Sequence, residues 1–130
     1  MGQQQLLLLV LGAIIVGTAI VVGVNMFSES AVNSNRDAVV QDCMTLAARA
    51  QQWYRTPTIL GGGGRAFTAI TLADIRFPAA NDNGSFAIVV DNANQVTITG
   101  TGREPNPANP LTVVVEVIPD SIRTPTITIP

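Results

Sequence analysis

The sequence predicts an α+β protein in which one long N-terminal helix packs on a C-terminal antiparallel β-sheet of about three to five strands. Three observations support this prediction: a charge-free apolar run near the N-terminus, an amphipathic stretch that continues it, and alternating strand patterns in the C-terminal half. The predicted divisions are an apolar helical stem at residues 1–27, an amphipathic helix at 28–56, and a glycine-rich loop with a β-domain at 57–130.

The stem is apolar on every side. Between Leu6 and Val24 there is no charged residue, and Thr18 is the one polar side chain. At 1.5 Å per residue this run makes a helix of about 28 Å, close to the hydrocarbon thickness of a bilayer. Because a small water-soluble domain cannot bury such a helix, we expect the stem to meet lipid or other copies of itself.

The helix is predicted to continue beyond the stem and to cover the sheet. No glycine or proline occurs between Ser28 and Arg55, and Pro57 supplies a stop signal. Apolar or small residues recur at spacings of three, four and seven, which places them on one stripe of the helix. The stripe residues that we expect to pack on the sheet are Val39, Cys43, Leu46, Ala50 and Trp53, together with Val32. Charged and polar residues, Asp42 and Arg49 among them, are placed off this stripe.

The C-terminal half carries strand signals after a flexible glycine linker. Gly61–Gly64 is too rich in glycine for helix or strand, and Phe67–Leu72 is compatible with a short strand or an ordered loop. Apolar residues then alternate in three runs, which predict strands joined by a hairpin at 91–94 and a loop at 100–110. The alternating residues are Phe86, Ile88 and Val90, then Val96 and Ile98, then Leu111, Val113, Val115 and Val117. A terminal strand at 122–129 is limited to a sheet edge by Pro125.

Composition removes most enzyme classes. The net charge is −2, with seven Lys plus Arg residues, no histidine and the single cysteine Cys43. Without histidine or a second cysteine, the common catalytic triads, zinc catalysis and haem attachment have no ligands or bases. The scattered arginines do not form a polyphosphate-binding surface, so nucleic acid is not predicted as the main ligand. We predict that the protein is not an enzyme and carries no cofactor.

These features together resemble a type IV pilin. The resemblance covers the layout of the whole chain, whereas residue-level similarity is confined to Met1–Val24. It implies a structural subunit of an extracellular helical filament, in which long helices form the core and sheets form the outer shell. It also implies that a prepilin peptidase removes a basic leader, that Met1 is the methylated first residue, and that the mature chain lies in the membrane before inner-membrane machinery assembles it.

This chain departs from the pilin pattern at two places. Pilins usually have glutamate at the fifth mature position, thought to pair with the N-terminal amine of a neighbour; here it is Gln5. The amide avoids burying a charge but gives up the charge attraction, so the resemblance is to a divergent or archaeal-type pilin. Val22 and Gly23 stand where pilins often have a helix-breaking proline. Any local unwinding is therefore predicted at Gly12, Gly17 or Gly23.

Small residues in the stem favour helix bundling. Ala13 and Gly17, and likewise Ala19 and Gly23, are four residues apart, which lets helix backbones approach closely. A plain single-span anchor would carry interfacial aromatic residues at both ends, and Phe27 is present at one end alone. Gln5, Gly12, Ala13, Gly17, Ala19 and Gly23 are thus the predicted assembly residues.

Four further features have both a structural and a functional interpretation. Cys43 is predicted to be a buried small hydrophobe rather than an intermolecular disulfide or a reactive thiol. Trp53 and Tyr54 are predicted packing anchors, with ligand stacking as the alternative. Gly61–Gly64 followed by an arginine lacks the phosphate-loop pattern and is expected to pass over a neighbouring subunit. Asn83-Gly84-Ser85 makes Asn83 a candidate glycosylation site, but an ordinary turn is the favoured interpretation.

The function predicted from the sequence is that of a major pilus-like filament subunit. The family implies roles in adhesion, surface motility or DNA uptake, and the residues do not choose among them. The alternatives are a membrane-anchored minor pilin or pseudopilin that binds a secretion partner through its sheet, and a helical coat subunit of a filamentous virus.

Overall fold

The computed structural model describes residues 2–104 and 108–130. The chain forms two compact units, Met1–Ala31 and Val32–Pro130. One helix, α1, runs from Gly2 to Arg55 and supplies residues to both units. It passes through Gly12, Gly17 and Gly23 without a break, so the isolated chain is not unwound at the positions predicted for that event. The predicted long helix and its end before Pro57 are confirmed.

The second unit contains a five-stranded antiparallel sheet, which confirms the α+β prediction. The strands are β1 Gly84–Asn92, β2 Gln95–Gly102, β3 Thr112–Ile118, β4 Ser121–Ile122 and β5 Thr126–Thr128. β1 pairs with β2 and β2 with β3, while β4 and β5 both pair with β3. The two-residue turn Ala93-Asn94 joins β1 to β2 within the predicted hairpin.

One face of the sheet is buried and the other is at least partly exposed. Every second residue of β2 and β3 is buried, and the residues between them are half-buried. The buried face carries Val96, Ile98, Val113, Val115 and Val117, whereas Thr97, Thr99 and Thr101 lie on the opposite face. This is the alternation expected for an antiparallel sheet with one covered face.

Strand β2 is longer than predicted. Gly100 to Gly102 was expected to begin a loop, but Gly100 and Thr101 pair with Val113 and Thr112 of β3, Gly102 pairs with Gly84 of β1, and β2 ends at Gly102. A Cβ atom built on Gly100 would lie 2.6 Å from Cys43 Sγ and 2.8 Å from Val39 Cγ1. Glycine is therefore required here because the helix approaches the strand too closely for a side chain. The low strand propensity of glycine is overridden by this packing and by the ladder hydrogen bonds.

The terminal edge strand is divided by Pro125. β4 pairs with Val117 and Ile118, and β5 pairs with residues 112–114, so both short strands lie on the same side of β3. Proline lacks the N–H that a continuous ladder needs, which accounts for the gap between them.

The glycine run was predicted to be a flexible linker, and this prediction was wrong. The run folds into a hydrogen-bonded cap on the end of α1. Gly63 and Gly64 donate their N–H groups to the carbonyls of Trp53 and Thr56, at 2.9 and 3.0 Å. These bonds satisfy carbonyls that the end of an α-helix leaves without partners. A Cβ on Gly62 would meet the Thr56 carbonyl, and one on Gly63 would meet the Trp53 ring. The glycines therefore approach the chain's own helix end, and their contact with a neighbouring subunit stays a prediction.

The connection between the cap and β1 is an ordered loop. Within it Phe67, Ile70 and Ile75 are buried in the same core as the helix stripe. Phe67 packs its ring 4.7 Å from that of Tyr54 and donates its N–H to the Ala93 carbonyl of the β1–β2 turn. Of the two structures proposed for Phe67–Leu72, the loop is the one observed.

Candidate assembly surfaces and the helix–sheet interface

The first unit presents a bare apolar helix surface. Its large apolar residues are all exposed, and the exposed fraction ranges from 53% for Leu11 to 77% for Phe27. The helix is long and apolar enough to cross a membrane. Contact with lipid or with another protein would remove this apolar surface from water. Each Å² buried contributes about 25 cal/mol of favourable free energy.

The predicted assembly residues lie on this exposed surface. Residues 2–30 are exposed throughout, which includes Gln5. A Cβ atom built on Gly12, Gly17 or Gly23 would have no atom within 4 Å. The glycines therefore have no role in packing within the described chain, and their open backbone is available to an approaching helix. Met1, the predicted site of processing and methylation, lies outside the described residues.

The stripe on the second half of α1 is buried in the core of the second unit. Val39, Cys43, Leu46 and Ala50 are fully buried, as is Ala47, whereas Trp53 and Val32 are partly buried against the same core. Ala47 was not among the residues selected from the sequence. It follows Leu46 directly, so the buried stripe is wider than a single row of three- and four-residue spacings indicates.

The Cys43 thiol is held in the protonated form. Burial, reinforced by the nearby negative charge of Asp42, raises the pKa of Cys43 from 9.0 to about 12. The folded chain therefore binds this proton more tightly than the unfolded chain does. The resulting stability is fully present below pH 9 and is lost as the pH rises toward 12.

We expect a thiol-specific reagent to leave Cys43 unmodified in the folded chain at pH 8. The side chain is fully buried, and with a pKa of about 12 only roughly one thiol in ten thousand is ionised at that pH. Mass spectrometry after brief exposure measures the modification, and the same protein in concentrated urea is the positive control. Rapid labelling without denaturant would contradict the burial.

Two polar residues of α1 hold the start of β1 and the end of β2. Asp42 Oδ2 accepts hydrogen bonds from the side-chain amides of Asn81 and Asn83, at 2.9 and 2.8 Å. Asn35 donates to the Asn83 carbonyl at 2.8 Å and accepts from the N–H of Arg103 at 2.9 Å. We call Asn35, Asp42, Asn81 and Asn83 the polar clamp.

The polar clamp was not predicted. Asp42 was placed off the packing stripe, yet it is half-buried and adjoins the stripe residue Cys43. The available signal was spacing, since Asn35 lies three residues after Val32 and four before Val39. A polar residue on an apolar stripe indicates a specific hydrogen-bond partner on the packed element.

Asn83 lies in the turn that the sequence favoured. Asn81 Oδ1 accepts hydrogen bonds from the N–H groups of Asn83 and Gly84, at 2.8 and 3.2 Å, which forms an Asx-type turn. The Asn83 side-chain amide nitrogen, to which a glycan would be attached, donates to Asp42. A glycan at Asn83 would replace one of the two hydrogens of this nitrogen and would have to fit beside Asp42.

The aromatic residues at the end of α1 contact the chain itself. The Trp53 ring lies against Gly63 of the cap, and the Tyr54 hydroxyl donates to Asn94 Oδ1 at 3.3 Å. Arg49, also placed off the stripe, donates to the Arg76 carbonyl at 2.8 Å and lies over the Phe77 ring. These side chains attach the loop and the hairpin turn to the helix.

Comparison of the chain with known protein families, with curated proteins and with solved structures found no match. What the structure provides is architecture. A long apolar N-terminal helix followed by an antiparallel sheet is the general type IV pilin-like arrangement.

Proposed function

We propose that this chain is a structural subunit of an extracellular type IV pilus-like helical filament, assembled through bundled N-terminal helices. The observation that carries the proposal is the contrast within α1: residues 2–30 are exposed and apolar over most of their length, whereas the stripe from Val39 to Ala50 is fully buried. The sheet unit has its own core, so the stem is left for contacts with other molecules.

The two environments proposed for the stem follow each other in time. A charge-free helix of about 28 Å is stable in a bilayer before assembly. In the filament the same surface packs against other stems, with Gly12, Gly17 and Gly23 allowing close backbone approach. A prepilin peptidase and inner-membrane assembly machinery would act between these states.

The sheet supports an outward position for the second unit. Thr97, Thr99 and Thr101 form a polar row on the face of β2 opposite the core. A threonine-rich face of low charge is compatible with solvent, so the sheet units can form the outer shell while the stems exclude water.

Electron microscopy of the purified full chain tests the proposal. We expect long helical filaments whose mass comes from this chain, and a methylated N-terminal residue by mass spectrometry. Monomers in detergent with no filaments under any assembly condition would contradict it. That result would favour the alternative, a membrane-anchored minor pilin, pseudopilin or single-span binding module of a secretion system.

We expect Gln5→Leu to reduce filament yield while leaving the second unit folded. Gln5 is the position where pilins usually place a charge for the neighbouring N-terminus, and its amide can still donate and accept hydrogen bonds there. Leucine removes both abilities from a buried contact, at a cost of about 1–3 kcal/mol per unsatisfied group. Yield by sedimentation and folding by circular dichroism are measured together. Gln5→Asn is the control that retains the amide, and wild-type yield from Gln5→Leu would exclude the role.

A further inference from the structure

Strand β1 has an edge that is covered at its start and open at its middle. Phe86 donates its N–H to the Ala79 carbonyl at 2.8 Å, on the side away from β2. Inward and outward groups alternate along an antiparallel strand, so the N–H and C=O groups of Ile88 and Val90 also point away from β2. Among residues 2–104 and 108–130 these groups have no hydrogen-bond partner on that side.

The open part of this edge lacks the usual protection. Residues 87–90 are Ala-Ile-Val-Val, with no charge and no proline, and Val89 is 55% exposed. Sheet edges that stay unpaired are normally guarded by charged residues, proline or a covering segment. The segment around Ala79–Asn81 covers the first part of β1 alone.

The opposite edge of the sheet is open as well. Arg123 donates its N–H to the Glu116 carbonyl, so the backbone groups of Val114 and Thr112, two and four residues earlier, also face the terminal strands. Their partners Thr128 and Thr126 face inward, and the backbone groups of Ile127 and Ile129 therefore point outward. The side chains of Ile127 and Ile129 are 40% and 45% exposed.

The two open edges match each other in direction and in spacing. Successive antiparallel pairings make β5 run opposite to β1, so a second copy placed beside the first in the same orientation brings β5 antiparallel to β1. Outward-facing residues then meet in two hydrogen-bonded pairs, Ile88 with Ile129 and Val90 with Ile127. Val89 faces Thr128 between them as a close pair without hydrogen bonds.

We propose that the open edge of β1 pairs with the β5 edge of a second copy of this chain, in the register Ile88–Ile129, Val89–Thr128 and Val90–Ile127. The inference deepens the proposed function, on which it rests for the identity of the occupant. It adds a contact between sheet units to the contact between stems. Because the two edges differ, the pairing is head-to-tail and propagates from copy to copy.

If β1 paired with β1 of another copy, only one of the two open edges would be covered. This pairing would satisfy Ile88 and Val90 but leave Ile127 and Ile129 exposed at the opposite edge. Pairing β1 with β5 covers both edges of every interior copy and buries four partly exposed apolar side chains.

Disulfide trapping in the full chain tests the register. A pair without hydrogen bonds has Cα atoms about 4.5 Å apart, within the range that a disulfide bridges. The double variant Val89→Cys/Thr128→Cys is oxidised mildly, both in membranes and after assembly, and separated on a non-reducing gel. We expect a ladder of dimers, trimers and longer products, at least about tenfold above either single variant. Cys43 is present in every variant and is buried.

The matched control is Ala87→Cys/Thr128→Cys, which displaces one cysteine by two residues along the strand and separates the pair by about 7–8 Å. Filaments without a ladder from Val89→Cys/Thr128→Cys would overturn the edge pairing and leave the proposed function intact. Dimers from Val89→Cys alone, as abundant as products of the double variant, would overturn it in favour of β1–β1 pairing. A ladder without filaments would support the pairing and contradict the filament, and absence of both would contradict both.

Discussion

Ile15→Asp is expected to abolish filament assembly and to reduce membrane retention of the free subunit. Ile15 lies near the middle of the charge-free run and is 58% exposed in the chain. A carboxylate at the centre of an apolar helix costs about 3 kcal/mol on insertion scales, and a bundle of stems would repeat that cost in every subunit. Filament yield by sedimentation and microscopy, with membrane flotation of unassembled protein, measures both effects.

Two controls separate a stem effect from a general loss of folding. Ile15→Leu keeps the apolar surface and is expected to assemble. Ala48→Asp places the same charge on an exposed position of the second half of α1, away from the stem and from the sheet edges, and is expected to assemble. Normal filament yield from Ile15→Asp would rule out the proposal that stems pack together in a water-free core.

Leu46→Ala is expected to destabilise the second unit by about 3 kcal/mol, within the range of 2–5 kcal/mol for a buried leucine. Leu46 is among the largest fully buried side chains of the chain and lies in one core with Val39, Cys43 and the sheet residues. Its truncation leaves a cavity between helix and sheet. Urea unfolding of the full chain in detergent, followed by Trp53 fluorescence, measures the change.

Gln41→Ala is the matched control on the same helix. Gln41 is exposed, and surface substitutions usually change the free energy of unfolding by less than about 0.5 kcal/mol. If Leu46→Ala changed it as little as Gln41→Ala does, the stripe would not be the core that holds the helix on the sheet.

Fold class could be predicted because the signals that carry it are local. The apolar run is recognised by its length and lack of charge, the stripe that follows it repeats with the period of a helix, and the strands repeat with the period of a sheet. Prolines also predicted where elements end, because the proline ring fixes φ and removes the backbone N–H. Pro57 lies just after the helix end at Arg55, and Pro125 lies in the gap between β4 and β5.

Glycine could not be interpreted in the same way. Gly61–Gly64 was predicted to be a flexible linker and Gly100 the start of a loop, because the missing side chain lowers both helix and strand propensity. In the structure Gly62 and Gly63 lie close to Thr56 and Trp53 at the cap, and Gly100 lies close to Val39 and Cys43. Glycine permits such contacts without indicating which segment will make them.

The sequence by itself determined that a helix apolar on all sides continues into one that is apolar on a single face, and that a sheet follows. Periodicity and the cost of exposing apolar surface require this much. Tertiary structure alone decided that Asp42 and Asn35 hold the start of β1 and the end of β2. It also decided that the open edges of β1 and β5 match in direction and in spacing. Hydrogen bonds between residues roughly 40–70 positions apart depend on the register of the packed chain, which no local pattern encodes.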